Sequence, residues 1–228
     1  MHEKHRERVK KRFLSSGLDD FEPHNVLELL LFYAIPQKDT NEIAHLLINR
    51  FGSVDKVFDA SVDELKEING IGDHAATLIK LIPALARRYA VEKNKKGLVF
   101  NNVDTMGQYF VSQYVGVTVE TVLFLLLDNK FNAIDCVKIH EGSINSCEIT
   151  VRKLAEIAFR NNASMVVLAH NHPSGLPIPS SADLYTTQQL RAALNLLGIQ
   201  MLAHIVVAGE DYANIMDPKV ASSAEHCF

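Results

Sequence analysis

Residues 169–183 read AHNHPSGLPIPSSAD, and the architecture of the C-terminal half follows from how this stretch is parsed. Its upstream flank, SMVVLAH (164–170), is an apolar run too short for a helix, the pattern of a buried strand. His170 and His172 are two apart at the end of that strand, so their imidazoles project to the same face. Gly175, Pro177 and Pro179 then force an irregular turn, and Ser180 starts a helix that carries Asp183 one turn in. The chain therefore doubles back and can bring one carboxylate to two imidazoles. Two nitrogens and one oxygen leave a fourth tetrahedral position open, as in catalytic rather than structural zinc. A structural site more often uses thiolates, and none of Cys136, Cys147 and Cys227 is nearby. Two plainer readings stand beside this one. The histidines are then polar residues at a sheet rim, and Ser180-x-x-Asp183 is a capping box with Asp183 favouring the helix N-terminus. The Pro-Cys-x-x-Cys of zinc deaminases and the H-E-x-x-H of zinc proteases are both missing.

Around this stretch the texture is that of a mixed sheet. VLFLLLD (122–128) and IDCVKI (134–139), joined by NKFN, read as a hairpin. ITVRKLAEIAFRN (149–161) is an amphipathic helix, SSADLYTTQQLRAALNLLG (180–198) a helix ending at Gly198, and IQMLAHIVVAG (199–209) a strand. Strands interleaved with helices imply a sheet covered by helices. Upstream, an apolar-periodic segment (75–90) runs out into the charged VEKNKKG, where Gly97 fits a helix end or linker. Everything before it reads helical. Pro23 opens a helix containing VLELLLFY, and Asp39 or Thr40 caps NEIAHLLINRF, which stops at Gly52. Ser61 caps VDELKEI, with Glu64 as its capping-box partner. The expectation is an α+β or α/β chain: an all-helical domain over 1–95, then a mixed-sheet domain over 101–228.

Composition narrows the function classes. With 47% apolar and 22% charged residues among 228, the chain can bury enough surface to fold. Its apolar runs are far short of the ~20 residues that span a bilayer. The charged N-terminus lacks the apolar core of a secretory signal. Three cysteines at unrelated spacings suggest reduced thiols in a cytoplasmic protein. Residues 1–100 carry 16 Lys+Arg against 15 Asp+Glu, and the rest 7 against 12. Net charges of +1 and −5 argue against polyanion binding by the second half.

The pattern His170-x-His172-x7-Ser180-x2-Asp183 resembles the JAMM motif of MPN-type metalloproteases at every position. The longer string HNHPSG…PS..D, followed by Thr186, resembles the bacterial RadC family, historically labelled DNA-repair proteins. GSIN at 142–145, the helix of 186–197 and the N-terminal half extend the likeness over nearly the whole chain. The resemblance implies that His170, His172 and Asp183 bind Zn2+. It also implies a glutamate at the start of an upstream strand as general acid/base. Glu120, directly before TVLFLLLD, is the candidate, and Glu141, beside the GSIN turn, is the rival. Ser180 is implied to support the oxyanion or the metal's water by hydrogen bonding. Zinc would lower the pKa of its water to roughly 7, so the implied reaction is amide or isopeptide hydrolysis of a peptide or isopeptide-linked protein. One departure is visible: Ala203-His204 stands where the family usually has Asp-His, and His204 reads as a structural histidine rather than a ligand.

In the first half, Asn69-Gly70-Ile71-Gly72 lies between two helical periods and resembles a helix-hairpin-helix. Gly70 and Gly72 permit the tight turn around Ile71, and amides at the next helix's N-terminus can hold a DNA phosphate. Asp73 opposes this, and the closest basic residue downstream is Lys80. AIPQKDTNEIAHLLINRFGSV (34–54) looks like a degenerate second hairpin with Ala34 in place of glycine. Two functions remain open. One is a zinc hydrolase with a helical recognition domain. The other is a DNA-binding accessory protein of repair or recombination whose second half is a non-catalytic scaffold. With a net charge of only +1, DNA binding by the first half is expected to be weak and without sequence preference.

Overall fold

Capping chemistry decides where many of the helices begin. In a computed structural model the described residues are 2–36, 38–95, 98–142, 151–173 and 175–220. Gly97, Cys147, Cys227, the last three residues of GSIN and the first two of ITVRKLAEIAFRN lie outside them. The chain divides into two compact units, Met1–Ala86 and Arg87–Phe228.

The first unit holds α1 (His2–Ser16), α2 (Pro23–Ala34), α3 (Thr40–Phe51), α4 (Val54–Asp59), α5 (Val62–Lys66) and the first part of α6 (Asp73–Lys95). Pro23 sits in the first turn of α2, where its missing N–H costs nothing. Asp39 caps α3 by accepting from the Asn41 N–H at 2.9 Å. Ser61 and Glu64 cap α5 reciprocally. Leu27, Leu31, Leu47, Val57, Leu65 and Ile79 form the core. Gly70 is doubly required, because its φ is +98° and an added Cβ would meet Ile43 Cδ1 at 2.7 Å.

The second unit builds one five-stranded sheet from β1 (Thr121–Leu127), β2 (Ala133–Glu141), β3 (Met165–Asn171), β4 (Gln200–Ala208) and β5 (Asp211–Asn214). The order is β2-β1-β3-β4-β5; β3 and β4 are parallel and the other pairs antiparallel. A parallel pair needs a crossover, and α9 (Ser181–Leu196) supplies it. Leu125, Leu127, Val167 and Ile205 pack under Tyr109 and Phe110 of α7 (Val103–Tyr114). On the other face Phe124, Leu126, Val166 and Leu168 meet Leu154 of α8 (Val151–Arg160) and Leu190 and Leu194 of α9. With both faces covered, β3 is buried at every residue, which explains its unbroken apolar sequence.

Two elements had no counterpart in the sequence reading, α7 and β5. The Asn102 side chain accepts from the Thr105 N–H at 2.8 Å to start α7, and the helix carries a mid-length glycine that weakens its helical signal. That glycine answers to β5: a Cβ on Gly107 would lie 2.2 Å from the Tyr212 ring. Ala203 is fully buried in the apolar cluster beneath α7. No helix among the described residues is long and apolar enough to cross a membrane.

Candidate metal centre

The site is assembled by strand register. β1 runs antiparallel to β3 with Val122 opposite His170, so the first residues of β1 lie beside the last residues of β3. Glu120, directly before β1, thereby reaches the histidines. Its carboxylate and the ring nitrogens of His170 and His172 lie within 4.8 Å of one another. Glu141 ends β2 instead, exposed and paired with Lys138 at 2.5 Å. Its hydrogen bond to that ammonium, with the attraction of the charge, holds its carboxyl below the ordinary glutamate value.

The two imidazoles converge. His170 Nε2 and His172 Nε2 are 3.1 Å apart, and Asp183 Oδ2 is 3.6 Å from His170 Nε2. Tetrahedral zinc with bonds of about 2.0–2.1 Å requires donors about 3.3–3.4 Å apart, so the two imidazole nitrogens suit the ion in spacing and in chemistry, while Asp183 lies outside the mutually close group of Glu120, His170 and His172. His172 has its proton assigned by geometry: Nδ1 lies 3.0 Å from the carbonyl of Leu176, which can only accept. Nδ1 therefore donates, and Nε2 of the neutral ring is left as a lone pair.

Asp183 arrives through the start of α9. Ser180 and Asp183 form a complete capping box, and the Ser180 N–H and Oγ–H both donate to Asp183 Oδ2, at 2.8 and 2.6 Å. Burial alone would raise the Asp183 pKa. His170 and Ser180 outweigh it and keep the carboxyl well below its ordinary value. The hydroxyl hydrogen of Ser180 is thus directed at Asp183, so cap and carboxylate orientation are one arrangement. His204 is buried and touches His170 and Thr187, at 2.9 and 2.6 Å. Burial, with His170 beside it, pushes its pKa well down.

Asn171 was not singled out from the sequence, yet it brackets Glu120. Its Oδ1 accepts from the Thr121 N–H at 2.7 Å and its Nδ2 donates to the Val119 carbonyl at 3.2 Å. Both partners are one-way groups, so the amide sits in one orientation only. The Gly142 N–H donates to the Glu120 carbonyl at 2.8 Å and completes the clamp. The signal was an amide between two candidate ligands, but its targets emerge only from the β1–β3 pairing.

A RadC-like JAB domain model matches residues 100–220, which takes in the whole of this site. The chain belongs to the RadC family. Its RadC relatives include the UPF0758 protein FN0909 of Fusobacterium nucleatum, 32% identical over 221 residues covering 93% of this chain and 95% of the relative. The UPF0758 protein SPO0054 of Ruegeria pomeroyi is 32% identical over 203 residues, 89% and 91% of the two chains. The UPF0758 protein HEAR2468 of Herminiimonas arsenicoxydans is 31% identical over 204 residues, 90% and 91%. In this RadC chain the turn with Gly70, Ile71 and Gly72 joins α5 to α6. Lys66 pairs with Asp73 at the start of α6, at 2.7 Å. Lys80 donates to the carbonyls of Phe58 and Ala60 at 2.7 and 2.8 Å, closing the end of α4 rather than facing outward as a free cation.

Proposed function

We propose that the protein is a zinc-dependent hydrolase of amide or isopeptide bonds, acting on a peptide or an isopeptide-linked protein in the cytoplasm. The observation that carries this reading is the convergence of Glu120, His170 and His172 within 4.8 Å, with Asp183 Oδ2 3.6 Å from His170. Membership of a family of JAB/MPN domains, which includes metalloproteases, supports it. His170 and His172 would hold zinc through their ring nitrogens, with Asp183 as the carboxylate beside them. Bound zinc supplies Lewis acidity toward a carbonyl and acidifies water to a pKa of roughly 7. Glu120 accepts the proton of the attacking water and returns it to the leaving amine. Ser180 orients Asp183 through its two hydrogen bonds to Oδ2. For the turn at 69–72 we infer protein recognition ahead of DNA contact, because Lys66 and Lys80 are already engaged within the unit.

Elemental analysis of zinc-supplied protein should find about one ion per chain, and His172→Ala should lose it. Glu120→Gln should keep the zinc and lose turnover of peptide and isopeptide substrates. A wild type without stoichiometric zinc, or undiminished binding by His172→Ala, refutes the metal assignment. Loss of zinc from Glu120→Gln would make Glu120 a ligand or a structural residue instead.

A further inference from the structure

Behind the candidate ligands lies a hydrogen-bonded chain whose direction is set at one end. It begins at the backbone carbonyl of Asp183, which can only accept. Thr187 Oγ1 lies 2.5 Å from that oxygen and donates its single hydrogen there, one turn back along α9. His204 Nδ1 is 2.6 Å from the same Thr187 Oγ1. Since the hydroxyl hydrogen is already committed, His204 Nδ1 must carry the hydrogen of this second bond. His204 is 2% exposed and has no carboxylate among its hydrogen-bond partners, so its ring is neutral and has no second hydrogen. Its Nε2 is therefore an acceptor, and it faces His170 Nδ1 at 2.9 Å. His170 donates from Nδ1, which leaves Nε2, 3.1 Å from His172 Nε2 and 3.6 Å from Asp183 Oδ2, as the nitrogen that faces the site.

We propose that Thr187 and His204 are positioning residues that fix a proton of His170 on Nδ1, so that Nε2 is the nitrogen offered to the metal site. The proposal rests on the reading of His170 as a zinc ligand. It gives α9 two jobs in one turn: the side chain of Asp183 enters the site, while its carbonyl sets the polarity of the chain that ends on His170. The two histidine tautomers are then set independently, that of His172 by the Leu176 carbonyl and that of His170 through His204. Without the chain, the tautomer of His170 with hydrogen on Nε2 would become accessible, and zinc would first have to displace that hydrogen.

The test uses the 15N-labelled full chain. Long-range 15N–1H spectra of the metal-free protein should show His170 and His204 each protonated on Nδ1. Thr187→Val, which keeps the shape and removes the hydroxyl, should shift His204 and His170 away from these tautomers. Its zinc affinity, measured by competition with a chromophoric chelator, should fall by about 10–100-fold. Thr187→Ser restores the hydroxyl and should recover affinity to within about threefold of wild type, a rescue that simple loss of packing would not show. His204→Gln keeps an acceptor for His170 and a donor for Thr187, and should bind more tightly than His204→Leu. A metal-free wild type whose His170 carries its hydrogen on Nε2 and none on Nδ1 overturns the proposal. So does a Thr187→Val protein that binds zinc as tightly as wild type with its His170 spectrum unchanged. A wild type with the expected tautomers but no zinc uptake supports the chain and refutes the metal reading, so the two failures are told apart.

Discussion

Replacing Asn171 with leucine tests whether one buried amide holds the Glu120 segment in place. Leucine nearly conserves volume, so the cost comes from the two bonds that are lost rather than from a cavity. Thr121 is 4% exposed, and its N–H has Asn171 Oδ1 as its partner at 2.7 Å. Leaving that donor unpaired costs about 1–3 kcal/mol. The longer bond to the Val119 carbonyl adds about 0.5–1.5 kcal/mol, for a total of about 1.5–4.5 kcal/mol. In a unit of this size each kcal/mol lowers the unfolding midpoint by about 3 °C, so the metal-free variant should melt roughly 5–13 °C below wild type. Zinc affinity should change little, because the histidine ring contacts are untouched. Turnover should fall by about 10²-fold as Glu120 loses its fixed position. Asn171→Asp separates the two bonds: it keeps the acceptor for Thr121 and sets an oxygen against the Val119 carbonyl, so it should fall between the other two proteins. An Asn171→Leu protein whose unfolding free energy, from urea titration, lies within about 0.5 kcal/mol of wild type would refute the clamp.

Ser180→Ala removes the cap of α9 and should cost about 0.5–2 kcal/mol in urea unfolding. It should also weaken zinc binding by about tenfold, since Asp183 loses its hydroxyl donor. The lowered pKa of Asp183 gives a stability contribution that is present above the ordinary carboxylate value and lost as pH falls toward the folded one. Metal-free protein should therefore lose stability below about pH 4, and Asp183→Asn should flatten that slope in chemical unfolding at stepped pH. Gly107→Ala should destabilise by more than the ~1 kcal/mol that alanine gains in a helix, because its Cβ would lie inside the Tyr212 ring contact. Combining it with Tyr212→Ala should remove the clash, seen as a favourable coupling energy in a double-mutant cycle.

The residues that act locally were legible in the sequence. Pro23, Asp39, Ser61 and Ser180 sit at helix starts, and caps depend on neighbours within one turn. The hairpin of β1 and β2, the strand β3 and the crossover through α9 to β4 followed from short apolar runs between breakers. His170, His172 and Asp183 stood out by spacing and Glu120 through the family resemblance, and the fold brings the Glu120 carboxylate to both imidazoles. What escaped depends on contacts between distant segments. Gly107 makes sense only with Tyr212 against it, and Asn171 only with Thr121 and Val119 across the sheet. His204 read as a structural histidine, and its link to Thr187 and His170 needs α9 folded over β3 and β4. The basic residues near the 69–72 turn could be counted from the sequence, but their engagement by Asp73 and by the end of α4 could not.

The antiparallel pairing of β1 with β3 also bears on how the protein is made. Synthesis delivers the β1–β2 hairpin long before β3, so TVLFLLL leaves the ribosome with one backbone edge bare and apolar on both faces. Such an edge is a template for pairing with other chains. It is covered only when β3 arrives, and β3 in turn waits for α9 and β4 on its far side. A slip of one residue in that late pairing would turn His170 to the opposite face of the sheet and leave Glu120 without its partners. Nascent or misregistered molecules thus own every donor and still lack the site. The metal content of a preparation would then count the molecules whose central strand has docked in the right register.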